Sequence, residues 1–229
     1  VLDNQLCQVL VFSAEGEFLR ALSREGEGPG ELRQPTGVVF LSDEEIGVGQ
    51  GFPGRIIGLG LDGTPRDSRH PVGTPAEGNV AVLISLRHVD GVLAATGGNI
   101  GFDPGGPGRT TRFLAVGEAD SEDFRRILVR TTPFDPTGRT FVEADNYYVD
   151  GSWALGSGGR IYAPMARDAY EISEYDTAGE LVRVFGRDEK PRQRTDEEKE
   201  RVRPLINPGT ADRSEWRIED HDPSVSRIM

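Results

Sequence analysis

The sequence predicts an all-β fold built from repeated four-stranded antiparallel sheets, and three observations support this prediction. Short runs that alternate apolar and polar residues recur along the chain, as is typical of half-buried strands. The 229 residues include 30 glycines and 15 prolines, spread along the whole sequence, which indicates many turns. A hairpin-like sequence also recurs with a glycine at the same place, at Gly16, Gly63 and Gly179. Together these features indicate a repeated β unit.

The repeated hairpin is clearest where residues 9–20 align with residues 172–183, which pairs Phe12 with Tyr175 and Arg20 with Arg183. A third copy lies at 55–66, and a degraded fourth copy with a longer turn spans 112–129. The shared glycine supplies the positive φ that a tight or bulged hairpin requires. Each copy is therefore predicted to form two antiparallel strands.

A second strand pair precedes three of these hairpins and completes a four-stranded unit. The predicted pairs are 37–41 with 45–49, 80–86 with 91–96, and 153–155 with 160–163, joined by turns at 42–44, 88–90 and 156–159. The shared glycines recur about every 54 residues, a spacing typical of propeller blades. The predicted fold is a single β-propeller domain over residues 1–229, with about four blades of four antiparallel strands. A β-sandwich is the alternative, but it does not predict the same sequence after every fourth strand.

Three segments resemble a known repeat. They are Phe-Ser-Ala-Glu-Gly-Glu-Phe-Leu-Arg at 12–20, Arg-Glu-Gly-Glu-Gly-Pro-Gly-Glu-Leu at 24–32, and Pro-Thr-Gly-Val at 35–38. They are similar to the NHL repeat of bacterial six-bladed β-propeller proteins, and residues 171–187 resemble it again. The resemblance implies a partial six-bladed ring, in which residues 1–3 end a preceding strand and residues 214–229 start the next blade. A closed four-bladed ring is the alternative. The resemblance also implies export from a bacterial cell.

One charged segment interrupts the β pattern. Residues 187–213 are predicted to form an inter-blade insertion with one short helix at about 196–203. Thr195 and Glu198 have the spacing of a capping box at its start. A solvated excursion is the favoured interpretation, and a lid is the alternative.

Composition excludes several functions. The net charge of −12 argues against binding to nucleic acid or to an anionic membrane surface, because both require basic patches. No apolar run approaches the roughly 18 residues of a membrane span. The single cysteine, Cys7, excludes an intramolecular disulfide and a cysteine-based zinc site. His70, His88 and His221 lack metal-ligand spacing, and His88 is predicted in a tight turn. No catalytic, cofactor-binding or metal-binding residue is therefore assigned.

Candidate binding residues lie in the long connections, which a propeller places on one face. The connections between the second and third strands carry five polar residues: Arg55, Asn99, Arg109, Arg167 and Asp168. Convergent guanidinium groups are suited to hold a carboxylate or phosphate, and loops on a rigid scaffold commonly carry binding residues. The alternative is that these charges are solvated or pair with the abundant acidic side chains.

The sequence therefore predicts a non-catalytic β-propeller that binds a protein or a small acidic ligand. The alternative is a propeller enzyme, either a metal-dependent lactonase-like hydrolase or a lyase, with calcium or zinc held at the ring axis. An open arc of blades also leaves unpaired strand edges, so self-association is expected.

Overall fold

The all-β prediction is confirmed. A computed structural model of the protein describes residues 1–73, 80–102, 108–134, 140–206, 215–226 and 228. Strands account for 51% of the described residues and helices for 7%.

Four antiparallel sheets follow one another along the chain. Sheet 1 contains β1 (Leu2–Asp3), β2 (Gln8–Phe12) and β3 (Phe18–Ala21). Sheet 2 contains β4 (Pro35–Phe40), β5 (Glu45–Gln50), β6 (Arg55–Gly60) and β7 (Pro65–Arg69). Sheet 3 contains β8 (Val80–Val89), β9 (Val92–Phe102), β10 (Gly108–Glu118) and β11 (Arg125–Phe134). Sheet 4 contains β13 (Ala154–Gly156), β14 (Arg160–Ala163), β15 (Glu171–Tyr175) and β16 (Leu181–Gly186).

The remaining elements join or follow these sheets. A two-stranded parallel sheet pairs β12 (Thr140–Val142) with β17 (Glu215–Arg217). Helix α1 spans Glu143–Asn146, and helix α2 spans Asp196–Ile206. A 3-10 turn at Ser157–Gly159 joins β13 to β14.

The shared hairpin glycines have the conformation that the repeat requires. Gly16, Gly63 and Gly179 have φ values of 89°, 90° and 83°. The strand pairing of each of the three hairpins also contains one register shift, as expected for hairpins with a β-bulge. The repeat read from the sequence is therefore a repeat of backbone geometry.

The predicted turn at 88–90 is wrong by two residues. Strand β8 continues through His88, which pairs with Leu93, and ends at Val89. The turn is instead formed by Asp90 and Gly91, with φ values of 50° and 81°. Two consecutive residues with positive φ are typical of a type I′ hairpin, for which Asp-Gly is a preferred sequence. His88 is thus a strand residue.

The sheets pack face to face in chain order, with a separate apolar core at each of the three junctions. Val9 and Leu22 of the sheet 1 region pack against Val48 and Leu59 of sheet 2. A second core joins sheet 2 to sheet 3 around Phe113. A third core joins sheet 3 to sheet 4 and contains Trp153, Leu114 and Ile161. Sheets 2 and 3 are consequently covered on both faces.

Glycines allow close packing at the junction of sheets 2 and 3. A Cβ atom at Gly49 would lie 2.8 Å from Leu86 and 2.9 Å from Leu83, and one at Gly37 would lie 2.9 Å from Leu86. Leu83 and Leu86 of β8 thus fill space that larger side chains on sheet 2 would occupy. Side chains at these glycines would force the sheets apart.

The predicted helix is present, and it is longer than expected. The Glu198 amide donates to Thr195 Oγ1 (3.3 Å) and the Thr195 amide donates to Glu198 Oε2 (2.8 Å), which is the predicted capping box. The helix continues through Pro204 to Ile206. Proline removes one helical hydrogen bond, but its fixed φ is itself helical.

The segment after the helix returns to an earlier part of the chain. Strand β17 pairs with β12, where the Trp216 and Phe141 rings lie 5.3 Å apart. Farther along, Gln193 forms an antiparallel bridge with His221. The segment expected to start another blade, 214–229, thus pairs at 215–217 with the connection between sheets 3 and 4, and at His221 with Gln193.

Candidate functional site

The five predicted binding residues lie at one end of their sheets, where the second strand connects to the third. Arg55 opens β6, while Arg167 and Asp168 lie between β14 and β15. Asn99 lies within β9 and Arg109 within β10. Those two residues are therefore strand residues and not the loop residues that the sequence predicted. The β9–β10 hairpin extends beyond Thr96 and Thr111 because its backbone pairing continues to Phe102 and Gly108.

A polar cluster forms around Val72, which is fully buried between sheets 2 and 3. The side-chain amide of Asn99, oriented so that its nitrogen faces the carbonyl groups around it, donates to the Val72 carbonyl at 3.0 Å. Arg126 Nη2 donates to the same carbonyl at 3.4 Å. Gly54, next to Arg55, donates to Ala81, the strand partner of Asn99. We call Arg55, His70, Asn99 and Arg126 the Val72 junction.

Arg55 is the unusual member of the Val72 junction. Its Nε atom is buried and has no hydrogen-bond partner among the described residues. Partial burial and the positive charge of Arg55 lower the pKa of His70, while Glu122 acts in the opposite direction. The junction therefore holds a buried guanidinium nitrogen that has no acceptor in the described part of the chain.

Arg109 is near the Val72 junction on the same face of sheet 3. It lies two positions before Thr111, whose register partner is Asn99. Alternate residues of a strand share a face. Arg109 is exposed and pairs across the ladder with Gly101. Sheet pairing thus brings Asn99 and Arg109 to one side of sheet 3, facing sheet 2.

Arg167 belongs to a different arrangement, a buried ion-pair network at the junction of sheet 4 with α1. Glu143 Oε1 accepts from Arg167 Nη2 (2.9 Å) and Arg194 Nη2 (3.0 Å), while Oε2 accepts from Arg194 Nη1 (2.8 Å) and the Glu219 amide (2.9 Å). Arg194 Nε also donates to Asp222 Oδ1 at 2.7 Å. We call Glu143, Arg167, Arg194 and Asp222 the clasp.

The clasp is buried and its charges are balanced. The side chains of Arg167 and Arg194 are each 6% exposed, and that of Glu143 is 13% exposed. Burial alone would raise the pKa of Glu143, but the hydrogen bonds from Arg194, the Glu219 amide and Arg167 outweigh it and hold this pKa below its ordinary value. The network therefore favours an ionised carboxylate between two guanidinium groups.

Arg167 and Asp168 are engaged within the protein. Arg167 Nη1 donates to Asp168 Oδ1 at 2.6 Å, and Arg167 Nη2 also donates to the His221 carbonyl at 2.7 Å. These contacts occupy both terminal nitrogens of Arg167. Both terminal nitrogens of Arg167 are thus unavailable to an anion shared with Arg55 and Arg109, and the acidic-ligand prediction rests on the Val72 junction.

Sequence reasoning missed the clasp. Its members lie at positions 143, 167, 194 and 222, so no local spacing connects them. Arg194 belongs to the segment interpreted as a solvated excursion, and that interpretation is wrong at Arg194 because its side chain is buried. The many charges of 187–199 were a signal that some of them are paired, but the partners were not identifiable from sequence.

Neither a metal centre nor a membrane helix emerges from the described ranges. They contain no group of three or more His, Cys, Asp or Glu side chains placed to hold a metal ion. Nor do they contain a helix long and apolar enough to cross a membrane.

Comparison with known proteins gives structural similarity only. No known family profile and no protein of curated function matches the sequence. A member of the DUF4221 family from Bacteroides vulgatus aligns with a TM-score of 0.53 and 12% identity, covering 86% of this chain and 58% of that one. A Bacteroides fragilis protein predicted to be exported aligns with a TM-score of 0.49 and 16% identity, covering 79% of this chain and 45% of that one. A Bacteroides caccae protein of unknown function aligns with a TM-score of 0.40 and 13% identity, covering 80% of this chain and 56% of that one. The chain thus spans about half the length of these proteins, and it shares the fold of the matched part of the DUF4221 protein.

Proposed function

We propose that this chain is a non-catalytic β-propeller module that binds a small acidic ligand, or an acidic group of a protein, at the Val72 junction. The sheet stacking supports the propeller. Consecutive sheets contact one another through their first strands, because β8 packs on β4 and β13 packs on β8. In a sandwich two sheets face each other, whereas here sheet 3 packs on a different sheet at each of its faces.

The binding proposal rests on one observation, the buried Arg55 Nε atom that has no partner in the described part of the chain. Charge-assisted hydrogen bonds to carboxylate or phosphate are strong interactions. On a chain with a net charge of −12, a local group of guanidinium side chains is selective for an anion. Asn99 adds an amide, and Arg109 and Arg126 add further positive charge. NHL relationship and export from the cell stay predictions.

The Arg55→Gln variant is expected to bind an anion about tenfold more weakly, because one charge-assisted hydrogen bond is lost. Inorganic phosphate is the probe, and its binding is monitored by the NMR signals of the histidine ring protons. An anion at the Val72 junction raises the pKa of His70 because it offsets the positive charge of Arg55. Arg55→Gln should raise the pKa of His70 without phosphate. In this variant the response of that pKa to phosphate should require about tenfold more phosphate.

Arg125→Gln is the matched control, since Arg125 is an exposed arginine that precedes Arg126 on β11 and lies on the opposite face of sheet 3. The control should bind phosphate as the unmodified protein does. If His70 does not respond to phosphate, or if Arg125→Gln weakens binding as much as Arg55→Gln, the Val72 junction is not the site.

A further inference from the structure

Phe52 is an exposed aromatic residue in the turn between β5 and β6. It is 52% exposed and lies in the four-residue connection 51–54. The register pair of Gln50 and Arg55 closes this connection, so Phe52 and Arg55 lie three positions apart in a single turn. An exposed apolar ring and the guanidinium group of the Val72 junction are therefore presented at the same end of sheet 2.

Backbone hydrogen bonds fix this turn to its neighbours. The Gly51 amide donates to the Gln34 carbonyl (3.0 Å), the Leu83 amide donates to the Gly51 carbonyl (3.0 Å), and the Gly54 amide donates to the Ala81 carbonyl (2.9 Å). Because Ala81 and Leu83 belong to β8, two of these bonds tie the turn to sheet 3. The position of the turn is therefore set by both sheets.

The backbone on each side of Phe52 is also closely packed. A Cβ atom at Gly54 would lie 2.5 Å from Val72 Cγ2 and 2.9 Å from the Leu83 backbone nitrogen, so the turn lies directly against β8. Gln50 is 1% exposed, and its side-chain amide donates to the Phe52 carbonyl at 3.3 Å. The Phe52 ring is thus exposed on a rigid support, where contact with a ligand costs little conformational entropy.

We infer that the ligand of the Val72 junction is an aromatic carboxylate, whose ring packs on Phe52 while its carboxylate is bound by Arg55. This inference rests on the proposed function and narrows it, because an anion site alone accepts any small acid. Contact between the two rings removes apolar surface from water, and aromatic pairs gain further from offset or edge-to-face packing. Because Phe52 and Arg55 belong to one turn, a short link between the ring and the carboxylate is sufficient.

The experiment compares acetate with phenylacetate, which differ by one phenyl ring. Binding of each acid is followed through the pKa of His70, measured from the NMR signals of its ring protons. Phenylacetate is expected to bind about fivefold more tightly than acetate, because its ring packs on Phe52. Nuclear Overhauser effects between the phenyl ring of the ligand and the Phe52 ring should accompany binding.

Three variants separate the ring contact from the charge contact. Phe52→Ala should remove the preference for phenylacetate and leave the affinity for acetate unchanged. Arg55→Gln should weaken the binding of both acids by the same factor and retain the preference. Phe40→Ala is the matched control, since Phe40 is 68% exposed and pairs with Ile46 at the opposite end of sheet 2, so it should also retain the preference.

The possible failures of the inference and of the anion site are distinguishable. Equal affinities of the unmodified protein for the two acids would overturn the inference and leave the anion site in place. So would a preference for phenylacetate that Phe52→Ala leaves intact, or an equal loss of affinity for both acids in that variant. If neither acid changes the pKa of His70, the proposed function itself is wrong, and the inference fails with it.

Discussion

Replacing Glu143 with glutamine is expected to lower the free energy of unfolding by about 3–5 kcal/mol, as for one partner removed from a buried ion pair. The carboxylate accepts four hydrogen bonds and lies between Arg167 and Arg194, whose side chains are 6% exposed. A neutral amide leaves two buried positive charges with less compensation. Chemical denaturation monitored by circular dichroism measures this change.

Asp145→Asn is the matched control, because Asp145 is an exposed carboxylate on the same short helix. The free energy of unfolding of this variant should differ from that of the unmodified protein by no more than about 0.5 kcal/mol.

The effect of Glu143→Gln on stability must also depend on pH, because the pKa of Glu143 is lowered in the folded protein. A carboxylate with a lowered pKa stabilises the fold above its unfolded pKa, and this contribution is lost as the pH falls through the folded pKa. The stability curves of the two proteins should therefore converge in acid. Equal effects of the Glu143 and Asp145 substitutions at neutral pH would show that the clasp does not stabilise the fold.

Trp153→Ala is expected to destabilise the protein by about 3–5 kcal/mol, as for other large-to-small substitutions in a packed core. Trp153 is fully buried between sheets 3 and 4, and its Nε1 donates to Ser85 Oγ of β8 at 2.9 Å. The substitution leaves a cavity and removes the donor to Ser85. Because each junction has its own core, sheet 4 should loosen first, which hydrogen exchange of residues 154–186 measures.

Trp153→Phe separates packing from hydrogen bonding, since phenylalanine retains most of the buried ring. It should lower the free energy of unfolding clearly less than Trp153→Ala does. If amide exchange in sheets 1 and 2 accelerates as much as exchange in sheet 4, the junctions do not act as separate cores.

Much of the fold was predictable because it depends on local sequence. The hairpin glycines Gly16, Gly63 and Gly179 sit where positive φ is needed, and the alternating runs around them became strands. The ends of the long strands were less predictable. Backbone pairing in sheet 3 continues past Thr96 to Phe102, and no side-chain pattern marks that end because Gly97 and Gly98 interrupt the alternation.

The candidate site was predictable only in part, because its contacts join distant segments. Arg55 and Asn99 were selected from two separate connections, and sheet stacking brings both to Val72. Arg167 was selected by the same reasoning, yet folding pairs it with Glu143. Among the described residues, the Nε atoms of both Arg55 and Arg167 are buried without an acceptor, but only Arg167 has its terminal nitrogens paired with carboxylates. Such pairing depends on partners that the tertiary structure supplies, and sequence spacing does not specify them.

The claim that the module binds without catalysing a reaction is tested most directly by metal analysis of the purified protein. After dialysis against metal-free buffer, elemental mass spectrometry measures the number of calcium and zinc ions per chain. The account predicts neither metal in stoichiometric amount, with phosphate binding at the Val72 junction unchanged by a chelator. One calcium or zinc ion per chain would contradict it and favour the metal-dependent propeller enzyme.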